Sequence, residues 1–257
     1  MIEQLLQPAG IVVSAHRGYK ARYPENTLLA FQKALELEVD MIEFDLRFSK
    51  DGEVVVIHDE TVDRTTDGTG RVSDMTLEEL KRLDAGGWFG KPFEGLKIPT
   101  LAELCELLSG YPRILLNVEI KPAPDATRVA DASIALLGEH GLLPNCVFTC
   151  FDATVSAYLF DTYGVKVQGF PEHVMYNYVP GPEGTRSKLW AVAASMSLLT
   201  PQLVKEIEEA GLLAWCYCPD RDQQVHYALG CGVKVMTVND PLPAMRIRKQ
   251  LNQSVEV

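Results

Sequence analysis

The sequence predicts an α/β protein, a (β/α)8 TIM barrel with a small insertion subdomain between the second strand and its helix. Three observations predict it. Eight short apolar runs alternate with amphipathic segments, and the 257 residues suit one such barrel. The rival open, doubly wound sheet lacks its usual mark, because "SAHRGYKARYPENT" after the first run holds a single glycine and no dinucleotide fingerprint.

The first strand is expected over 11–16. Asn26 or Thr27 then caps a helix over 27–38, and the second strand covers 41–47. Residues 48–99 interrupt the rhythm before a helix over 100–108. They hold turn chemistry at Asp67-Gly68-Thr69-Gly70, a helical piece near 77–83, and the aromatics Trp88, Phe89 and Phe93. This is the insertion, and a connection leaving the end of a barrel strand emerges on the active-site face. Strand 114–121 precedes helix 126–140, which Gly141 ends, and strand 146–151 precedes helix 153–163. Strand 166–170 runs into a stretch around 171–188, rich in Gly, Pro and Tyr, that reads as a long loop on the same face. Strand 189–194 leads to Thr200-Pro201 at the start of helix 201–210, ended by Gly211. Strands 212–217 and 233–238 with helices 221–229 and 242–251 complete the series. The whole chain is expected to form one catalytic domain.

Composition narrows the function classes. A net charge of −11 argues against nucleic-acid or anionic-membrane binding, while leaving room for a local site that takes a small anion. No apolar stretch is long enough for a membrane span, and MIEQLLQPAG lacks the basic and apolar regions of a signal peptide. The six cysteines sit mostly in apolar runs, and Cys216-Tyr217-Cys218 is neither a zinc nor a redox spacing. A cytoplasmic protein is expected, with assembly into a homo-oligomer compatible with such a chain.

The chemistry gathers at strand ends. In "IEFDLRFSKDGEVVVIHDE", Glu43 and Asp45 share one face of the second strand while Phe44 and Leu46 share the other. In "NVEIKP", Glu119 and Lys121 alternate in the same way, and the first strand ends in His16-Arg17-Gly18. A barrel brings all of these to one mouth, with His58 delivered by the segment that follows the second strand. Taken singly, each has a plain explanation. Glu-x-Asp can be a solvated pair, His16 a core histidine, Lys121 a partner for Glu119, and Trp215 a core residue as readily as a ligand platform near the mouth. Together they are harder to dismiss. Three carboxylates against Arg17 and Lys121 leave one unbalanced negative charge, which one divalent cation would reverse and a phosphodiester would then neutralise. A set of carboxylates without thiolate points to a hard ion, Mg²⁺ or Ca²⁺. Two histidines beside it suit general acid–base chemistry, and Arg17 suits the non-bridging oxygens.

These segments, with "AHRGYKARYPENTLLAFQKAL", "IPTLAELCELL" and "LNVEIK", resemble the glycerophosphodiester phosphodiesterases. The resemblance is dense from residue 13 to 121 and continues more thinly through "GLLAWCYCPDRDQQVHYALGCGVKVMTVNDP". It implies a barrel with an insertion and metal-dependent cleavage of a small glycerophosphodiester to glycerol 3-phosphate and an alcohol. It implies His16 and His58 as the acid–base pair and Glu43, Asp45 and Glu119 as metal ligands. Arg17 and Lys121 would contact the phosphate or substrate, and a substrate hydroxyl can attack first to give a cyclic phosphate. The departures fall late: Trp215-Cys216-Tyr217-Cys218 replaces the family's Trp-Thr-Val-Asn, Cys150 precedes Phe151 in place of Ser, and Thr237 to Pro241 carries an altered Thr-Asp-x-Pro. Two rivals share the barrel. One is a phospholipase C-like or D-like enzyme, disfavoured by the lack of a basic or amphipathic membrane-binding segment. The other is a binding protein without turnover, which would not need both histidines.

Overall fold

The computed structural model describes residues 2, 5 and 10–255, so the N-terminal stretch read above for a signal peptide lies almost wholly outside the described residues. Strand β1 (Val12–His16) pairs in parallel with β2 (Met41–Phe48) on one side and β9 (Val235–Val238) on the other. From β2 the ring continues through β4 (Leu115–Ile120), β5 (Cys146–Thr149), β6 (Val167–Gly169), β7 (Ala191–Ser195) and β8 (Leu213–Tyr217) back to β9. These parallel strands close into a (β/α)8 barrel. The short β3 (Val54–Val56) runs antiparallel on the upper part of β2, beyond the barrel rim.

Helices α1 (Leu28–Glu36), α3 (Leu101–Leu108), α4 (Ala126–Glu139) and α5 (Ala153–Tyr163) follow β1, β2, β4 and β5. Helices α6 (Pro201–Glu209), α7 (Asp222–Gly230) and α8 (Pro241–Val255) follow β7, β8 and β9. Their starts are marked chemically. Thr27, rather than Asn26, accepts from the Ala30 amide, and Thr100 forms a capping box with Glu103. Thr200 caps α6 with Pro201 at its first position. No helix follows β6. Two 3₁₀ turns, Glu172–Val174 and Thr185–Lys188, fill that connection, and Tyr176 bridges back to Asp152 at the start of α5.

The expected strand 146–151 ends early, at Thr149. Phe151 leaves the sheet to stack on Phe170, with ring centroids 3.7 Å apart and planes 12° from parallel. The connection between β2 and α3 carries the helix α2 (Leu77–Arg82) and a small apolar cluster of its own, built from Val55, Ile57, Val62, Val72, Leu80, Ala85 and Ile98. A separate and much larger cluster fills the barrel and the space between strands and helices. Among the described residues no helix is long and apolar enough to cross a membrane.

Candidate active site

Register sets the heights of the side chains. His16 is level with Glu43 across β1 and β2, and Asp45 is level with Glu119 across β2 and β4. Because strand side chains alternate, Glu43 and Asp45 face inward in successive layers. Lys121, one step past the end of β4, folds over them: its ammonium hydrogen-bonds Glu119 and lies 3.3 Å from Asp45 Oδ1. A pocket of about 190 Å³ opens above, lined by His16, Arg17, Glu43, His58, Glu119 and Lys121 on one side. Phe151, Phe170 and Tyr217 line the other. Every expected site residue except Trp215 has come to this pocket or, for Asp45, to the cluster beneath it. Trp215 is only 1% exposed and donates its indole N–H to Thr237 at 2.9 Å. It packs inside the barrel below the pocket, and the aromatic that reaches the mouth from β8 is Tyr217, two residues on and on the same face.

The chain reverses sharply after β1. Arg17 has φ 55° and Gly18 φ 77°. A Cβ at Gly18 would lie 2.6 Å from the Ala30 carbonyl carbon, so only glycine lets α1 approach. For Arg17 the left-handed conformation costs about 1–3 kcal/mol. It is held by its own polar contacts: the amide donates to Glu43 at 2.8 Å and the guanidinium to Glu25 at 2.8 Å. Its Nε lies 3.1 Å from Asp45, an ion pair without hydrogen-bond geometry.

Ligand atoms of Glu43, Asp45 and Glu119 all lie within 4.8 Å of one another, and all three side chains are buried. Burial, with the charges of Asp45 and Glu119, pushes the Glu43 carboxyl well above the usual carboxylate range. Burial likewise raises Glu119, against the pull of Lys121. Burial would raise Asp45 too, but Lys121, Arg17, His58 and a hydrogen bond from Asn26 hold it well below its ordinary value. Glu43 Oε1 and Asp45 Oδ1 are buried with no hydrogen-bond partner. Such atoms are costly unless something else satisfies them. One orphaned oxygen, a second met only by the Lys121 ammonium at 3.3 Å, and a third carboxylate, with excess negative charge, fit a divalent cation.

The two histidines differ in their partners. His16 Nδ1 lies 2.7 Å from Asn239 Oδ1, and Asn239 in turn donates Nδ2 to Asp220 at 2.6 Å. That second bond fixes which end of the amide meets His16, so Nδ1 carries the proton and Nε2 keeps its lone pair toward Glu43, 3.8 Å away. Burial, aided by Lys20 and Arg17, lowers the His16 pKa to about 3, so the ring is neutral. His58 instead sets Nδ1 2.5 Å from the Asp59 carboxylate. Burial lowers its pKa, with Asp45 and Asp59 opposing.

Several of these groups escaped the sequence reading. Pro24-Glu25-Asn26-Thr27 looks like a helix start, and it is one, yet Glu25 binds both Arg17 and Arg64 and Asn26 donates to Asp45 at 2.8 Å. Arg64 continues to Asp59, linking the two histidine-bearing segments through ion pairs. Arg47 was also passed over, although alternation alone puts it on the same face as Glu43 and Asp45.

Glu25 provides a stability test. Burial would raise its pKa, but Arg64 and Arg17 bring it from 4.5 down to about 2. A depressed carboxylate contributes stability that is complete above pH 4.5, shrinks as pH falls, and is gone below about 2. The side chain is only 8% exposed, so screening is slight. Glu25→Gln is expected to lose roughly 3 kcal/mol at pH 7 and almost nothing near pH 2. Urea unfolding of both proteins at the two pH values measures it.

Residues 16–242 match the model of the glycerophosphoryl diester phosphodiesterase family. The chain belongs to this family. A glycerophosphodiester phosphodiesterase of Caldanaerobacter subterraneus is 35% identical over 90% of this chain and 94% of its own length. The glycerophosphodiester phosphodiesterase structure from Agrobacterium tumefaciens superposes with a TM-score of 0.75 at 28% identity, covering 90% of this chain and 97% of that one. An Oleispira antarctica phosphodiesterase, solved with the product sn-glycerol-3-phosphate, superposes with a TM-score of 0.81 at 26% identity over 94% and 98% of the two chains. As a glycerophosphodiester phosphodiesterase family enzyme, this chain has its pocket at the strand ends, where barrels carry their chemistry.

Proposed function

We propose that the enzyme hydrolyses soluble glycerophosphodiesters to glycerol 3-phosphate and an alcohol, with a divalent cation and a His16–His58 acid–base pair. The observation that carries the reading is the gathering of two differently held imidazoles in the wall of one pocket, beside a cluster of buried carboxylates. Glu43, Asp45 and Glu119 would hold the ion, Mg²⁺ or Ca²⁺, which when bound supplies positive charge at the phosphoryl oxygens. Arg17 and Lys121, fixed by their carboxylate partners, add charge to the same oxygens. His16, neutral with Nε2 unprotonated, takes the proton of the attacking group, either water directly or the neighbouring glycerol hydroxyl, whose cyclic phosphate a water then opens to glycerol 3-phosphate. His58, whose Asp59 partner offsets part of the lowering that burial imposes, returns a proton from its imidazolium form to the leaving alkoxide. The aromatic wall of Phe151, Phe170 and Tyr217 suits the carbon face of the glycerol moiety common to all substrates. Six free thiols, five of them buried, fit a reducing cytoplasm.

The test is turnover of glycerophosphocholine, glycerophosphoethanolamine and glycerophosphoglycerol with Mg²⁺ or Ca²⁺, and with chelator. Release of glycerol 3-phosphate that chelator abolishes is expected. Cleavage of lipid vesicles with no soluble diester turned over would overturn the reading in favour of a phospholipase, and turnover indifferent to chelator would remove the metal.

A further inference from the structure

A second cavity, of about 300 Å³, adjoins the reaction pocket and shares Lys121 with it. It lies between the end of β2, the insertion and the start of α4, with Arg47, Phe48, Glu60, Arg71 and Asp125 in its wall. Arg47 is the telling residue. It stands one inward position beyond Asp45, and its Nε donates to the His58 carbonyl at 3.0 Å. Its terminal amino groups have no hydrogen-bond or ion-pair partner among the described residues, although the carboxylates of Asp45, Glu60, Asp59 and Glu119 attract the guanidinium from farther off. Arg71, by contrast, is paired with Glu60 at 2.5 Å. A half-buried guanidinium with spare donors toward a cavity is poised for an oxyanion, and its fork geometry suits a carboxylate.

The cavity also lies on the correct side. If His58 protonates the leaving oxygen, the departing alcohol sits beside His58, whose carbonyl Arg47 holds and whose neighbour Glu60 lines the cavity wall. A quaternary ammonium would need open aromatic faces. The one aromatic ring here, Phe48, is already covered by the Arg128 guanidinium, 5.6 Å from its centroid. Asp125, in the same wall, offers a carboxylate for an ammonium. We infer that this cavity is the leaving-group subsite and that it selects an alcohol bearing a carboxylate, with an amino-acid alcohol such as serine fitting both charges.

The inference rests on the phosphodiesterase reading above, and the experiment separates the two. Glycerophosphoserine and glycerophosphoethanolamine differ only in the carboxylate. The wild-type enzyme should show kcat/KM about tenfold or more in favour of the serine diester, the worth of one charge-assisted hydrogen bond. Arg47→Gln should bring the ratio close to one while still cleaving the ethanolamine diester. Reading the ratio cancels any loss that both substrates suffer through His58. An equal ratio in the wild type, or a ratio unchanged by Arg47→Gln, would overturn the subsite. Calorimetric binding of the same diesters to His58→Ala protein with Mg²⁺ reads the subsite without turnover. There the serine diester should bind about tenfold tighter, and equal affinities would overturn the proposal. Discriminating binding in a chain that hydrolyses neither diester would instead sink the activity and leave the subsite standing.

Discussion

His58→Ala is expected to lower kcat on glycerophosphoethanolamine by about 10²–10⁴-fold, the usual worth of a positioned proton donor. The loss should depend on the leaving group. An alkoxide needs the proton that the Asp59-held imidazole would supply. A nitrophenolate does not, so with a nitrophenyl ester of glycerol 3-phosphate the deficit should shrink to about tenfold or less. His16→Ala should behave differently, because the contact with Asn239 leaves Nε2 of His16 unprotonated, as the proposed base requires. Its loss should be equally deep with both esters. Steady-state kinetics on the two substrates decide the assignment: rescue of His16→Ala in place of His58→Ala would exchange the roles, and rescue of neither would remove the division of labour.

Glu43→Gln should separate activity from stability. The amide keeps an acceptor for the Arg17 amide but removes a charge that Asp45 and Glu119 repel. Turnover should fall by about 10³-fold or more as the cation site is lost. In chelator, however, the variant should be more stable than the wild type by about 1–2 kcal/mol at pH 7. The sign follows from linkage. A carboxyl raised in the folded state carries a cost that is absent below its ordinary value of 4.5 and grows as pH rises toward the folded value. The advantage should therefore vanish near pH 4. Adding Mg²⁺ or Ca²⁺ should reverse the order, since only a protein that binds the ion gains stability from it. Thermal unfolding with and without ion at the two pH values tests this, and curves that never cross would argue against a cation held by Glu43.

The alternation of Glu43 with Phe44 and of Asp45 with Leu46 made the barrel and its carboxylate-bearing inner face legible together, because a strand's period of two assigns core and mouth at once. What was hidden lies in contacts that chain order does not encode. Asn239 meets His16 across 223 positions, and its usefulness depends on Asp220 turning the amide. Asn26 reads as a cap because asparagine favours helix starts, yet its φ of 55° and its bond to Asp45 belong to the site. Trp215 was placed near the mouth by its lateness in the strand, but side chains two residues apart occupy different layers, and only Tyr217 clears the rim. The lack of a helix after β6 was legible, because Gly, Pro and Tyr in residues 171–188 give no helical period.

The parallel pairing of β1 with both β2 and β9 joins the two ends of the barrel sheet. His16 stands on that seam, between carboxylates from the early strands and an amide from the last. A chain emerging from synthesis has its acidic triad long before it has Asn239 to meet His16. With His16 as the proposed base, activity during refolding is expected to return only after β9 has closed on β1 and Asn239 has met His16, which stopped-flow assays of turnover against barrel fluorescence can check.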